Sequence, residues 1–131
     1  MVYLVEEDIS KEANPPTLQK IFGDSAIAKL LDFLTLYRDF DYSKTEISRN
    51  SGVSWKTLFR VWPILEKYDL VTKTRQIGRA ALYKLNTENP IAKALQELAL
   101  QIALYDAKKI AKEELERGQP VKLVHKAGAE T

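Results

Sequence analysis

The side chains in this sequence that could do chemistry are mostly cations, and the groups that catalysis relies on are sparse. There is no cysteine, and the single histidine, His125, stands in a polar C-terminal segment. Thiol nucleophiles, disulfides and thiolate metal sites are thereby excluded. One histidine completes neither a zinc site of three or four ligands nor a nucleophile–base pair with its orienting group. No phosphate-binding glycine loop or nucleophile motif occurs. No enzyme activity, metal or cofactor is expected. What remains is a concentration of Lys and Arg. Residues 41–86 hold nine of them against four Asp/Glu, a net of +5, whereas residues 1–40 carry four against seven and residues 87–131 seven against seven. The formal charge of +2 for all 131 residues hides this segregation. A local basic excess suits a polyanionic partner, although a solvated surface can carry as much. The elements that present the cations have to decide between these readings.

The first group of cations falls on two short helices. Ser43-Lys44-Thr45-Glu46 has capping-box spacing, with Ile47 inward and Gly52 as the stop. Ser54 caps a second helix after a turn of two or three residues, which predicts a helix-turn-helix over residues 43–65. On the second helix Leu58, Val61, Trp62 and Leu65 share the inward face. Trp55, Lys56, Phe59 and Arg60 point outward, with Thr57 at the margin. Lys56 and Arg60 can reach phosphate or guanine O6 and N7, and Thr57 a phosphate or a thymine methyl. Ser43, Lys44 and Thr45 stand where a helix N-terminus offers backbone N–H groups to phosphate. Pro63 removes the bond to the Phe59 carbonyl and is expected to kink or break the helix, bringing Ile64 and Leu65 to the core and leaving residues 54–62 as the straight reading length.

The second group falls on a hairpin. Residues 70–75 and 80–85 are strand-like runs around Gln76-Ile77-Gly78-Arg79, where glycine can supply a positive φ. Lys73, Arg75, Arg79 and Lys84 make the hairpin cationic, with no acidic residue between Leu70 and Leu85. Arg75, Gln76 and Arg79 are placed to follow a DNA backbone or enter a minor groove.

The remaining segments read as support. Residues 1–16, with the apolar run Val2-Tyr3-Leu4-Val5 and then Asn14-Pro15-Pro16, are expected to form an arm. A short helix is expected from Thr17 to Phe22. Asp24 or Ser25 then caps a core helix in which Ile27, Leu30, Leu31 and Leu34 recur at helical spacing, widened by Phe33 and Tyr37. Arg38 to Tyr42 reads as a loop. Asn89-Pro90 starts a long helix. Along it Ile91, Leu95, Leu98, Ile102 and Tyr105 form a heptad seam, and Leu100, Ala103, Leu104, Ala107 and Ile110 a second apolar stripe. Running to about residue 117, it would span roughly 40 Å. Two apolar faces suggest two neighbours, its own domain and a second copy of the chain, with Leu95, Leu98, Ile102 and Tyr105 at the dimer interface. The organisation expected is an arm (1–16), a winged helix-turn-helix domain (17–88), a dimerisation helix (89–117) and a tail (118–131). The fold class is mainly α with a small β-hairpin wing. No apolar stretch approaches 18 residues and no secretory leader is visible, so a cytoplasmic, nucleoid-associated protein is expected, with no membrane partner.

Residues 54–71 resemble the winged-helix pattern of MarR/ArsR-type regulators: a capping serine, Thr57, apolar Leu58, Trp62 and Leu65, then Leu65-Glu66-Lys67-Tyr68-Asp69-Leu70-Val71. Thr74-Arg75-Gln76-Ile77-Gly78-Arg79, Leu82-Tyr83-Lys84-Leu85-Asn86 and Asn89-Pro90-Ile91 are similar to a group of small stand-alone archaeal winged-helix proteins. The resemblance covers roughly residues 18–104. It departs at Asp69, where most such proteins carry glycine, and at Pro63. It implies a winged-helix transcriptional regulator that binds double-stranded DNA; with the helix faces, caps and charges above, the expectation is a homodimer that binds sequence-specifically through Ser43, Lys44, Thr45, Ser54, Trp55, Lys56, Thr57, Arg60, Lys73, Arg75, Gln76 and Arg79. A second class stays open, a winged helix that binds another protein through Trp55 and Phe59, because exposed aromatics also favour protein interfaces.

Overall fold

Serine hydroxyls start three of the helices. Ser25 Oγ accepts from the Ala28 N–H at 3.3 Å, Ser43 Oγ from Glu46 at 3.1 Å and Ser54 Oγ from Thr57 at 3.2 Å. Each satisfies a donor that the first helical turn leaves without an intrahelical partner. The computed structural model describes residues 17–118; the expected arm (1–16) and the tail from residue 119, with His125, lie outside the described residues. The elements in order are α1 (Gln19–Phe22), α2 (Ala26–Leu36), β1 (Tyr42–Ser43), α3 (Lys44–Ser51), α4 (Trp55–Lys67), β2 (Val71–Ile77), β3 (Ala80–Leu85) and α5 (Pro90–Glu116). The fold is mainly α: a helix-turn-helix, a β-hairpin wing and a long C-terminal helix.

The chain divides into two units at Ala99 and Leu100. In the first, Leu30, Phe33 and Leu34 of α2 pack with Ile47 of α3, Leu58, Trp62 and Leu65 of α4, Leu70, Leu85 and Ala92. Asp32 lies within this region, 4% exposed, and accepts the backbone N–H groups of Leu18 at 2.7 Å and Gln19 at 2.9 Å. A carboxylate of α2 thus holds the start of α1. In the second unit α5 continues and exposes Leu100, Leu104, Tyr105, Ile110 and Leu115. Among the described residues no helix is long and apolar enough to cross a membrane.

Three local expectations need correction. Pro63 does not break α4, which runs through it to Lys67. Pro63 and Phe59 are both on exposed turns, where water can serve the carbonyl that lacks its donor. Leu65 is fully buried, but Ile64 is 47% exposed, since successive helical residues lie about 100° apart. The hairpin turn is shorter than expected: β2 extends to Ile77, which faces Ala80 across a two-residue loop. Gly78 has φ +60 at the first central position, the place where a type II′ turn calls for glycine. Finally, the loop after α2 contains β1, which pairs Tyr42 with Tyr83 and Ser43 with Leu82 and makes the sheet three-stranded in the order β1-β3-β2.

Asp69, at φ +53, is the only non-glycine in the left-handed region among the described residues. Its carbonyl is engaged by two side chains, Asn86 Nδ2 at 3.0 Å and Asn89 Nδ2 at 3.1 Å. Asn89 also donates to the Tyr68 carbonyl at 2.9 Å, while its Oδ1 accepts from Ile91 and Ala92 at 2.6 and 3.3 Å. One side chain therefore caps α5 and closes the end of α4.

Candidate nucleic-acid interface

The N-terminus of α3, the first turn of α4 and the wing tip converge on one cleft. Ser43, Lys44, Thr45, Trp55, Arg79, Ala80, Ala81 and Tyr83 line it, and its volume is about 390 Å³. Pairing of β1 with β3 brings residue 43 beside residue 82 and so sets the wing next to α3. Lys56 and Arg60 are exposed on α4, and Lys73 on β2 is exposed opposite Tyr83. Ser54 and Thr57 are joined hydroxyl to hydroxyl at 3.0 Å, and Gln76 Nε2 donates to the Gly78 carbonyl at 3.4 Å. Ser43 is largely occupied by its own helix, because its N–H donates to Glu46 Oε1 at 2.9 Å while its Oγ accepts from the Glu46 N–H. The backbone N–H groups of Lys44 and Thr45, in the first helical turn, are those without an intrahelical acceptor.

Two of the expected DNA-contacting cations are engaged by other groups of the chain. Arg75 forms a two-pronged pair with Asp41, Nε to Oδ2 at 2.9 Å and Nη2 to Oδ1 at 3.2 Å, and the Thr74 hydroxyl donates to the same carboxylate. The irregularity in β2 between Lys73 and Arg75 falls at this point. Hydrogen bonds from Arg75 first and Thr74 second hold the Asp41 carboxyl at about 2, below its ordinary 3.8. The wing's positive run is thus offset by a residue 34 positions earlier. Lys84, counted with that run, is half-buried.

Lys44 is engaged differently. Its Nζ lies 5.0 Å from the centre of the Trp62 ring and 5.4 Å from those of both Phe59 and Tyr83. Trp62 and Tyr83 meet edge to face at 5.2 Å, and Trp62 Nε1 donates to Glu66 at 3.1 Å. Phe59, exposed like Trp55, meets it edge to face at 4.5 Å. Lys44 thus bridges two ring pairs, Trp55–Phe59 on the outward face of α4 and Trp62–Tyr83 between α4 and the wing. The sequence shows aromatics at positions 55, 59 and 62 of this helix but gives no sign that Lys44 and Tyr83 join them.

Along α5, Leu95 is packed against the domain's own core cluster. Leu98 is partly exposed, Ile102 half-buried and Tyr105 67% exposed. Among the described residues no group of three or more Asp, Glu or His is placed to hold a metal ion.

No family model matches the sequence, and no curated protein matches it. Among solved structures, a chain described as "Structure of Disulfide formed AbfR" superposes with a TM-score of 0.45 at 22% identity, covering 88% of this chain and 82% of that one. The disulfide of that description has no counterpart here, where cysteine is absent.

Proposed function

We propose that this chain is a sequence-specific double-stranded DNA-binding regulator that acts by binding rather than catalysis. The observation that carries the reading is the convergence of Arg79, the α3 N-terminus and the α4 N-terminus on one cleft, beside the exposed Lys56 and Arg60. In this reading α4 enters the major groove with Lys56 and Arg60 toward base edges or phosphate, and a backbone strand lies between α3 and the wing. Lys73 and Gln76 face the backbone, and Ser54 and Thr57 hold the start of α4. The chain acts as a homodimer through the apolar side of α5 that the core leaves exposed. Leu98, Ile102 and Tyr105 stay in that interface.

Fluorescence anisotropy on a labelled duplex, titrated with salt, tests the binding. Arg79→Ala is expected to lower the log–log salt slope by about 0.9, the amount for one lost phosphate contact. An unchanged slope removes the wing tip from the interface. Selection from a random duplex pool is expected to return paired half-sites about one or two helical turns apart. Sedimentation at micromolar concentration is expected to show a dimer that Tyr105→Glu dissociates, and a wild-type monomer, free and on DNA, removes the homodimer.

Trp55 and Phe59, 45% and 50% exposed, favour one alternative, a recognition face that binds another protein. That reading expects no duplex shift at low salt, together with capture of a partner that Trp55→Ala abolishes.

A further inference from the structure

We infer that Lys44 is a positioning residue that fixes the wing against the reading helix, and not a phosphate ligand. The inference rests on the duplex-binding reading of this face. A lysine at a helix N-terminus beside a cleft would ordinarily be assigned to phosphate. Here the ammonium faces three rings from two other elements, Phe59 and Trp62 of α4 and Tyr83 of β3, at 5.0 to 5.4 Å. Ring faces are electron-rich, so each attracts the cation, and withdrawing it to a phosphate forfeits all three contacts together.

The placement of the rings explains what the contact does. Trp62 is 2% exposed and belongs to the core, packed in the cluster that joins α2, α3 and α4. Tyr83 sits on the central strand of the sheet, paired with Tyr42 on one side and Lys73 on the other. Lys44 therefore ties three elements, α3, α4 and β3, beside the cleft that it lines with Tyr83. The distance from Lys56 and Arg60 on α4 to Arg79 at the wing tip depends on that tie. Phe59, half-exposed, forms the outer wall of the cage.

The full-length chain with Lys44→Met and Lys44→Arg tests this. Methionine keeps the aliphatic length without the charge, and arginine keeps the attraction to the rings. Duplex anisotropy against salt is expected to show about tenfold weaker binding for Lys44→Met, a salt slope changed by much less than 0.9, and recovery in Lys44→Arg. A slope lowered by about 0.9 makes Lys44 a phosphate ligand and overturns the proposal. Unchanged affinity with a lower melting temperature reduces Lys44 to a stability role and also overturns it.

A measurement without DNA separates this inference from the function on which it rests. In the wild-type chain labelled at lysine, the ring faces should shift the Lys44 ε-methylene protons upfield of every other lysine. If no duplex binds, the DNA reading fails while an upfield Lys44 signal still upholds the cage. A Lys44 signal among those of the other lysines removes the cage.

Discussion

The cations around the cleft fall into two groups that the sequence does not distinguish. Lys56 and Arg60 on α4 and Arg79 at the wing tip are exposed. Lys44 and Arg75 are equally basic but are engaged by the chain itself, Lys44, half-buried, over three aromatic rings and Arg75, still 60% exposed, by Asp41. In the proposed duplex-binding reading, the first group presents charge to DNA and the second shapes the surface on which that charge is displayed. The net charge of +5 over residues 41–86 already counts Asp41; what the pairing changes is the wing, where Arg75 no longer adds to the charge of Lys73, Arg79 and Lys84. An Arg–Asp pair carries no net charge, and its field falls off within a few ångströms of the surface.

The largest consequence lies in the exposed group. Arg60→Ala is expected to weaken duplex binding by about 1–3 kcal/mol and to relax preference at one base position, the cost of a lost bidentate contact. Lys56→Ala, if its contact is to phosphate, should instead weaken all sequences alike. Competition between selected and random duplexes separates the two effects. Should neither substitution change affinity, α4 is not the reader and the two groups of cations differ only in whether the chain itself engages them.

A sharper test compares Asp41 and Arg75 as a pair. If they act as a neutral unit, Asp41→Asn adds a cation to the wing, and the salt slope should steepen by up to about 0.9. Arg75→Ala alone leaves an unmatched carboxylate near the backbone, and binding should weaken. The double substitution restores neutrality and should return the slope to near the wild-type value. If it instead behaves like Arg75→Ala alone, Arg75 contacts DNA on its own account and belongs with the exposed group.

The features legible in the sequence are those whose partners are close along the chain. The caps at Ser43, Ser54 and Asn89 act within two or three residues, so spacing revealed them. The hairpin was visible for the same reason, as was the inward face of Leu58, Trp62 and Leu65. The left-handed Asp69 was anticipated as a departure at a glycine position; Asp69→Gly should stabilise the fold by up to about 1 kcal/mol in a denaturant melt. The long-range pairs left no such trace. Asp32 meets Leu18 across a helix–helix contact, and Asp41 meets Arg75 only because β1 pairs with β3. A two-residue strand has no periodicity to read. Leu95 shows the same limit on α5, where a heptad pattern cannot tell a helix's own core from a second copy.

The smallest expected effect concerns pH, and it bears on whether the Asp41–Arg75 pair stays neutral where the protein works. Hydrogen bonds from Arg75 and Thr74 lower the Asp41 carboxyl from 3.8 to about 2 in the folded chain. A depressed carboxyl contributes stability that is present above its unfolded value and is lost as pH falls through its folded value. The window is therefore between about 3.8 and about 2. From pH 8 down to 5 the pair should not titrate, and Asp41 should add no pH dependence to duplex binding. Carboxyl carbon NMR of the folded chain should place the Asp41 midpoint near 2, and Arg75→Ala should move it back toward 3.8. A wild-type midpoint near 4 would mean that Arg75 is not held, and would return it to the group of cations available to a partner.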